Sequence, residues 1–179
     1  MGVVYTKTSA GESLREKGFL PDRATLIHAY YEPHHDLLNR LAVRSIREAG
    51  SCLVIDCHSF PSEPHPYEDN QEKERPDICV GTDSFHTPVW LQKTVTRFFQ
   101  SQGLTIALNT PFSGALVPSG FYGKERNAYA VMLEVNRALY MDERSGDKSR
   151  DFSTIRKLLS EAVCAIENAW RSHGPVSGK

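Results

Sequence analysis

The chain has 179 residues, 40% of them hydrophobic and 24% charged, and a formal net charge of -1 with its seven histidines neutral. That length supports one domain that buries about two-thirds of its unfolded surface. The balanced charge gives no electrostatic reason to expect nucleic acid or an anionic membrane as partner, and no apolar run approaches the roughly 18 residues of a membrane helix.

Residues 1 to 22 are broken by Gly2, Gly11, Gly18 and Pro21. They predict an extended piece or strand over Gly2 to Thr6, then a loop. The segment has no long apolar stretch, so a secretory signal is not expected. Four cysteines without a CxxC spacing, Cys52, Cys57, Cys79 and Cys164, three of them in or beside apolar runs, read as buried free thiols, and the expected location is the cytoplasm. From Asp22, a good N-cap, the pattern turns helical. Leu26, Ile27, Tyr30 and Tyr31 recur at helical spacing, Pro33 should kink or restart the helix, and Gly50 should end it.

SCLVIDCHS follows. Four consecutive apolar residues, Cys52 to Ile55, predict a strand covered on both faces. PSEPHPYEDNQEKERP, residues 61 to 76, is a long polar loop of the kind that often carries function. DICVGT predicts a second strand, Thr87 to Gln102 a helix and LTIAL a third strand. TPFSGALVPSGFYGKERN is another long loop, AYAVMLEVNR a fourth strand, and Asp151 to Arg171 a last amphipathic helix. The alternation predicts a three-layer α/β domain, a mixed or mostly parallel sheet flanked by helices. Ligands collect where strands of such sheets end.

Two strands end on reactive groups. His58 is either a metal ligand or a histidine donating to a carbonyl at a sheet edge. Asp56, two residues earlier, shares its face and can orient the imidazole or cap a turn. Glu134 stands within an apolar run, where a carboxylate is costly unless paired, hydrogen-bonded or near a metal. It reads either as a general base beside a metal-bound water or as half of an ion pair with Arg137. His34 and His35 are adjacent on the first helix and point in different directions.

VIDCHSFP, DICVGTDSFHTP, LNTPFSGALVPSGFYG and AVMLEVNRALYMDE, in that order, resemble the N-formylglutamate amidohydrolase family, as do GVVYTKTSAGESLR and YYEPHHDLLNRL. The resemblance runs from near residue 2 to about residue 143. It implies a zinc-carboxypeptidase-like fold over one domain, residues 1 to 179. It also implies zinc-dependent hydrolysis of N-formylglutamate or a related small N-acyl amino acid, in histidine degradation. By the same resemblance His58 is the metal ligand and Glu134 the catalytic base. His35, Asn109, Tyr122 and Arg137 fall on family positions near the pocket and are candidate substrate-binding residues.

The chain departs from that pattern in one respect. The family's upstream segment, with a Pro-His-Ser-Gly-like ligand histidine and an acidic ligand, has no counterpart in it. The expectation is a domain N-terminally truncated relative to the family, with one zinc ligand where a catalytic site needs three. An exposed apolar sheet surface, open to dimerisation, is expected with it. The alternative reading is a non-catalytic or incomplete member that keeps the pocket but lacks two zinc ligands.

Overall fold

The computed structural model describes residues 4–8, 10–16 and 22–173. Asp22 caps the first helix, its Oδ1 accepting from the Ala24 N–H at 3.0 Å. α1 (Arg23–Leu26) runs through a π-helical turn (Ile27–Tyr31) into α2 (Glu32–Ala49). Pro33 sits in the first turn of α2 and restarts the regular helix after the π turn. Gly50 ends it in the left-handed region at φ 75°, a conformation that costs glycine little.

β1 (Cys52–Phe60) follows, then β2 (Ile78–Gly81), α3 (Val89–Ser101), β3 (Ile106–Leu108), β4 (Ala128–Asn136), a short 3-10 turn (Arg137–Leu139) and α4 (Phe152–His173). The strand expected over Gly2 to Thr6 lies partly outside the described residues. The described residues 4–6 form no strand; the nearest pairing is a single antiparallel bridge from Lys7 to Ser13.

The sheet order is β1-β4-β2-β3. β1 runs parallel to β4, β3 parallel to β2, and β2 antiparallel to β4. The sheet is therefore mixed and lies between helical layers. On one face, Leu91, Val95 and Phe99 of α3 and Ala162 and Ile166 of α4 pack on Ile78, Val80, Val131, Leu133 and Val135. Each larger apolar side chain fully buried there contributes roughly 1.5–3 kcal/mol. On the other face, Ala42 of α2 packs on Cys52 and Ala128, with Ile46 and Phe121 beside them.

β4 is central and buried along almost its whole length. β1 differs from expectation. It is an edge strand, and Leu53, Val54 and Ile55 are only half-buried. Its apolar run reflects packing on its faces, while one edge has no strand against it among the described residues. The apolar residues of the first helix behave similarly. Tyr30, Leu37, Leu41 and Val43 are exposed, and Ala42 alone in α2 is buried. The cysteines expected to be buried divide: Cys52 and Cys79 are buried, while Cys57 on the edge strand and Cys164 on α4 are exposed. Among the described residues no helix is long and apolar enough to cross a membrane.

Candidate functional site

The parallel β1–β4 register places His58 beside Glu134, Asp56 beside Met132 and Phe60 beside Asn136. Residues in register share a sheet face, so Asp56, His58, Met132, Glu134 and Asn136 all lie on the face opposite α3 and α4. Asp56 Oδ1 lies 2.8 Å from His58 Nε2, with the carboxylate side chain 18% and the imidazole 50% exposed. The carboxylate fixes the ring and leaves Nδ1 for another partner.

Glu134 is buried, and its Oε2 has no hydrogen-bond partner among the described residues. Burial raises its pKa above the ordinary glutamate value; Asp56 and Glu68 push the same way, while His58 and Arg137 oppose. A buried carboxyl oxygen without a partner is costly unless a ligand, water or cation completes it. The alternative ion pair with Arg137 does not form. The guanidinium is held instead by Ser59, Nε donating to Oγ at 3.2 Å and Nη2 to the carbonyl at 3.1 Å. Arg137 thus folds back over the end of β1 at Ser59.

A cleft of about 600 Å³ opens above this face, lined by His34, Asp56, His58, Ser113, Leu116 and Met132. His34, rather than His35, reaches it. His35 is half-buried, stacks on Tyr31 at 4.1 Å between ring centroids, and keeps a buried Nδ1 without a partner. A second cleft, about 510 Å³, lies on the α4 side and is also lined by Cys57, His58 and Ser59. His58 therefore stands where both clefts meet the open edge of β1.

The other expected substrate contacts lie elsewhere. Asn109, in the left-handed region at φ 55°, is spent on Thr82. Its Oδ1 accepts from the Thr82 N–H and its Nδ2 donates to Thr82 Oγ1, both at 2.8 Å. It ties the ends of β2 and β3 together. Tyr122 is exposed and stacks on His86. His86 is fully buried, with Nδ1 against the Ala128 carbonyl at 2.7 Å and Nε2 accepting from the Gly123 N–H at 2.8 Å. Those two bonds fix its neutral tautomer and anchor the 118–123 loop to β4.

Two features of the surroundings carry little sequence signal. Gly81 ends β2 where any Cβ would collide with the Gly114 carbonyl and the Met132 side chain, so only glycine lets the 113–116 segment close over the site face. The loop over residues 61 to 76 is organised around Arg75. Its guanidinium pairs with Glu68 at 2.5 Å, the two side chains 2% and 5% exposed, and lies over Phe60 and Phe112.

The donor chemistry falls short of a resident zinc. Among the described residues no group of three His, Cys, Asp or Glu is placed to hold a metal ion, and a catalytic zinc needs three protein donors and an open position. One chain offers His58, its partner Asp56 and the incomplete Glu134.

A family model described as N-formylglutamate amidohydrolase matches residues 1–141. An N-formylglutamate deformylase of Pseudomonas aeruginosa is 26% identical over 162 residues, covering 87% of this chain and 57% of that protein. The chain thus spans a little over half the length of this curated relative. The crystal structure of an N-formylglutamate amidohydrolase from Ralstonia eutropha matches with a TM-score of 0.67 at 23% identity, over 82% of this chain and 52% of that one. A gene product of Agrobacterium tumefaciens matches with a TM-score of 0.58 at 18% identity, over 91% of this chain and 62% of that one. At these identities the two structures establish the likeness of fold.

Proposed function

The chain belongs to the N-formylglutamate amidohydrolase family, and from that premise we propose that it takes part in hydrolysis of N-formylglutamate or a closely similar N-acyl amino acid. The observation that carries the reading is Glu134, a buried carboxyl with an unpartnered oxygen, in register with the edge histidine His58. Burial raises the pKa of this carboxyl above the ordinary glutamate value, the direction that strengthens it as a proton acceptor.

In this reading water adds to the formyl carbon, the C–N bond breaks, and formate and the free amino acid result. Glu134 takes a proton from the attacking water and delivers it to the leaving nitrogen. Asp56 holds the His58 ring, and Ser59 holds Arg137 beside the site, where its guanidinium can meet a substrate carboxylate. Tyr122, Asn109 and His35 act on the pocket through the loops and helix they order.

Zinc, when bound, supplies a water of lowered pKa. His58 is the residue of this chain that would hold it. The zinc-carboxypeptidase-like relationship, a role in histidine degradation and a cytoplasmic setting belong to the same proposal. A second reading, a pocket-bearing protein without catalysis, is favoured by the shortage of metal donors. Bound zinc and formate release from N-formylglutamate separate the two. Bound zinc with turnover supports the hydrolase; neither zinc nor turnover supports the non-catalytic protein.

A further inference from the structure

We propose that Cys79 is a positioning residue for this site: its buried thiol fastens the Phe112 carbonyl, and so sets where the cleft wall over residues 113–116 stands relative to a bound N-acyl amino acid. The inference rests on the hydrolase reading for what the cleft takes.

Strand pairing puts Cys79 in the site. His58 on β1 is in register with Glu134 on β4, and Glu134 is in register with Cys79 on β2. The three side chains therefore form one row across the sheet, on the face away from α3 and α4. Ile78 and Val80, on either side of Cys79, turn into the core under those helices. Cys79 is fully buried, and its Sγ donates to the Phe112 carbonyl at 3.1 Å. The exposed Cys57 thiol, by contrast, reaches only a carbonyl of its own strand, at 3.8 Å. Burial raises the pKa of Cys79, so the thiol keeps the proton that it donates. A buried, protonated thiol is inert as a nucleophile, which leaves the bond to Phe112 as its contribution.

Phe112 begins the wall. Its ring meets Phe60 at 5.8 Å between centroids, and the Arg75 guanidinium lies 6.0 Å from its centroid. Two residues on, the Gly114 carbonyl lies against Gly81. Cys79 and Gly81 are also two residues apart and share the site face of β2. The wall is thus fastened to β2 at two points of matching spacing, Cys79 to Phe112 and Gly81 to Gly114. Residues 113–116 then line the cleft that Asp56, His58 and Met132 also line. The wall holds no acid or base, so it acts on the reaction by how it holds the substrate. A misplacement of about 1 Å away from the chemistry can cost about 100-fold in rate.

The test compares Cys79→Ala and Cys79→Ser in the full 179-residue chain. Turnover of N-formylglutamate with zinc in the buffer gives KM and kcat. Calorimetry on the Glu134→Gln background gives the dissociation constant of N-formylglutamate, and proteinase K cleavage mapped by mass spectrometry reports the wall. Cys79→Ala should raise KM and the dissociation constant about three- to tenfold, the size of one net hydrogen bond, with kcat within about twofold of the parent. Cleavage over residues 113–116 should quicken. Cys79→Ser keeps a donor and should bring both constants back toward the parent. A variant that merely folds less well loses active enzyme, which lowers apparent kcat and leaves KM unchanged. That result, or Cys79→Ser as impaired in KM as Cys79→Ala, would overturn the proposal. Gly81→Ala lifts the wall at its second fastening and should also raise KM; if Cys79→Ala does not fold, an unchanged KM in Gly81→Ala overturns the proposal. The hydrolase reading fails separately. No turnover, with a dissociation constant that still rises in Cys79→Ala, overturns that reading and leaves the role of Cys79 standing. Turnover with an unchanged KM does the reverse, and no binding of N-formylglutamate at all overturns both.

Discussion

His58 and Glu134 stand side by side across the parallel β1–β4 pair, one half exposed on the edge strand and the other buried in the central one. The edge position gives the imidazole access to solvent and to further ligands. The central position withdraws the carboxyl from water and raises its pKa. Neighbouring positions in one sheet thus receive different chemistry from their distance to the edge.

Glu134 should limit the acid side of any activity. Its native pKa lies above the ordinary value of about 4.3 because burial disfavours the carboxylate. The rate should therefore rise with pH through a point above the normal glutamate range. Stability runs the other way. The native carboxyl holds its proton to higher pH than the unfolded one, so its contribution is full below the unfolded pKa and is lost as pH rises through the native value. Glu134→Gln should accordingly melt higher than the parent at about pH 7, and the gap should close toward about pH 4. Thermal melts across pH check both limbs.

Asp56→Asn should keep the fold and free the His58 ring, weakening any metal binding proposed at His58. Carboxylates that orient a ligating imidazole contribute about 10–100-fold in affinity or activity. Zinc titration by calorimetry measures the loss, with circular dichroism as the control for folding.

Gly81→Ala should destabilise the protein by about 1–3 kcal/mol, the usual cost of overfilling a packed site. The added methyl meets the Gly114 carbonyl and Met132, so the 113–116 segment must lift from the sheet. Denaturant unfolding gives the size. Increased protease cleavage near Gly114 would locate the strain.

Arg75→Met should be more harmful than its loop setting suggests. It leaves Glu68 buried without its cation, and breaking such a pair costs about 3–5 kcal/mol. The double change Arg75→Met with Glu68→Leu should recover much of that loss. Equal destabilisation in the single and double variants would show that the pair is not coupled.

The strands and their chemical ends were legible because each is a short apolar run that stops on polar groups, as at His58 and Glu134. The position of β1 at the sheet edge was not, because strand order depends on pairing between distant segments. The same limit hid Gly81, whose requirement for glycine is set by a carbonyl 33 residues later, at Gly114. The π turn over Ile27–Tyr31 inserts an extra residue into the helical count. That shift rotates the following residues relative to a regular helix, and His34 rather than His35 meets the cleft. In the 61–76 loop, read from sequence only as long and polar, the buried pair of Arg75 and Glu68 shows itself only in the folded contacts with each other, Phe60 and Phe112.

Formate release from N-formylglutamate by the zinc-supplied chain, compared between the parent and Glu134→Gln, is the most direct measurement. Removing a general base should lower turnover about 100- to 10,000-fold, while the fold, read by circular dichroism, stays unchanged. Equal rates in parent and variant, or no release by a zinc-loaded parent above the uncatalysed reaction, would contradict the assignment of Glu134 as the base of an amidohydrolase.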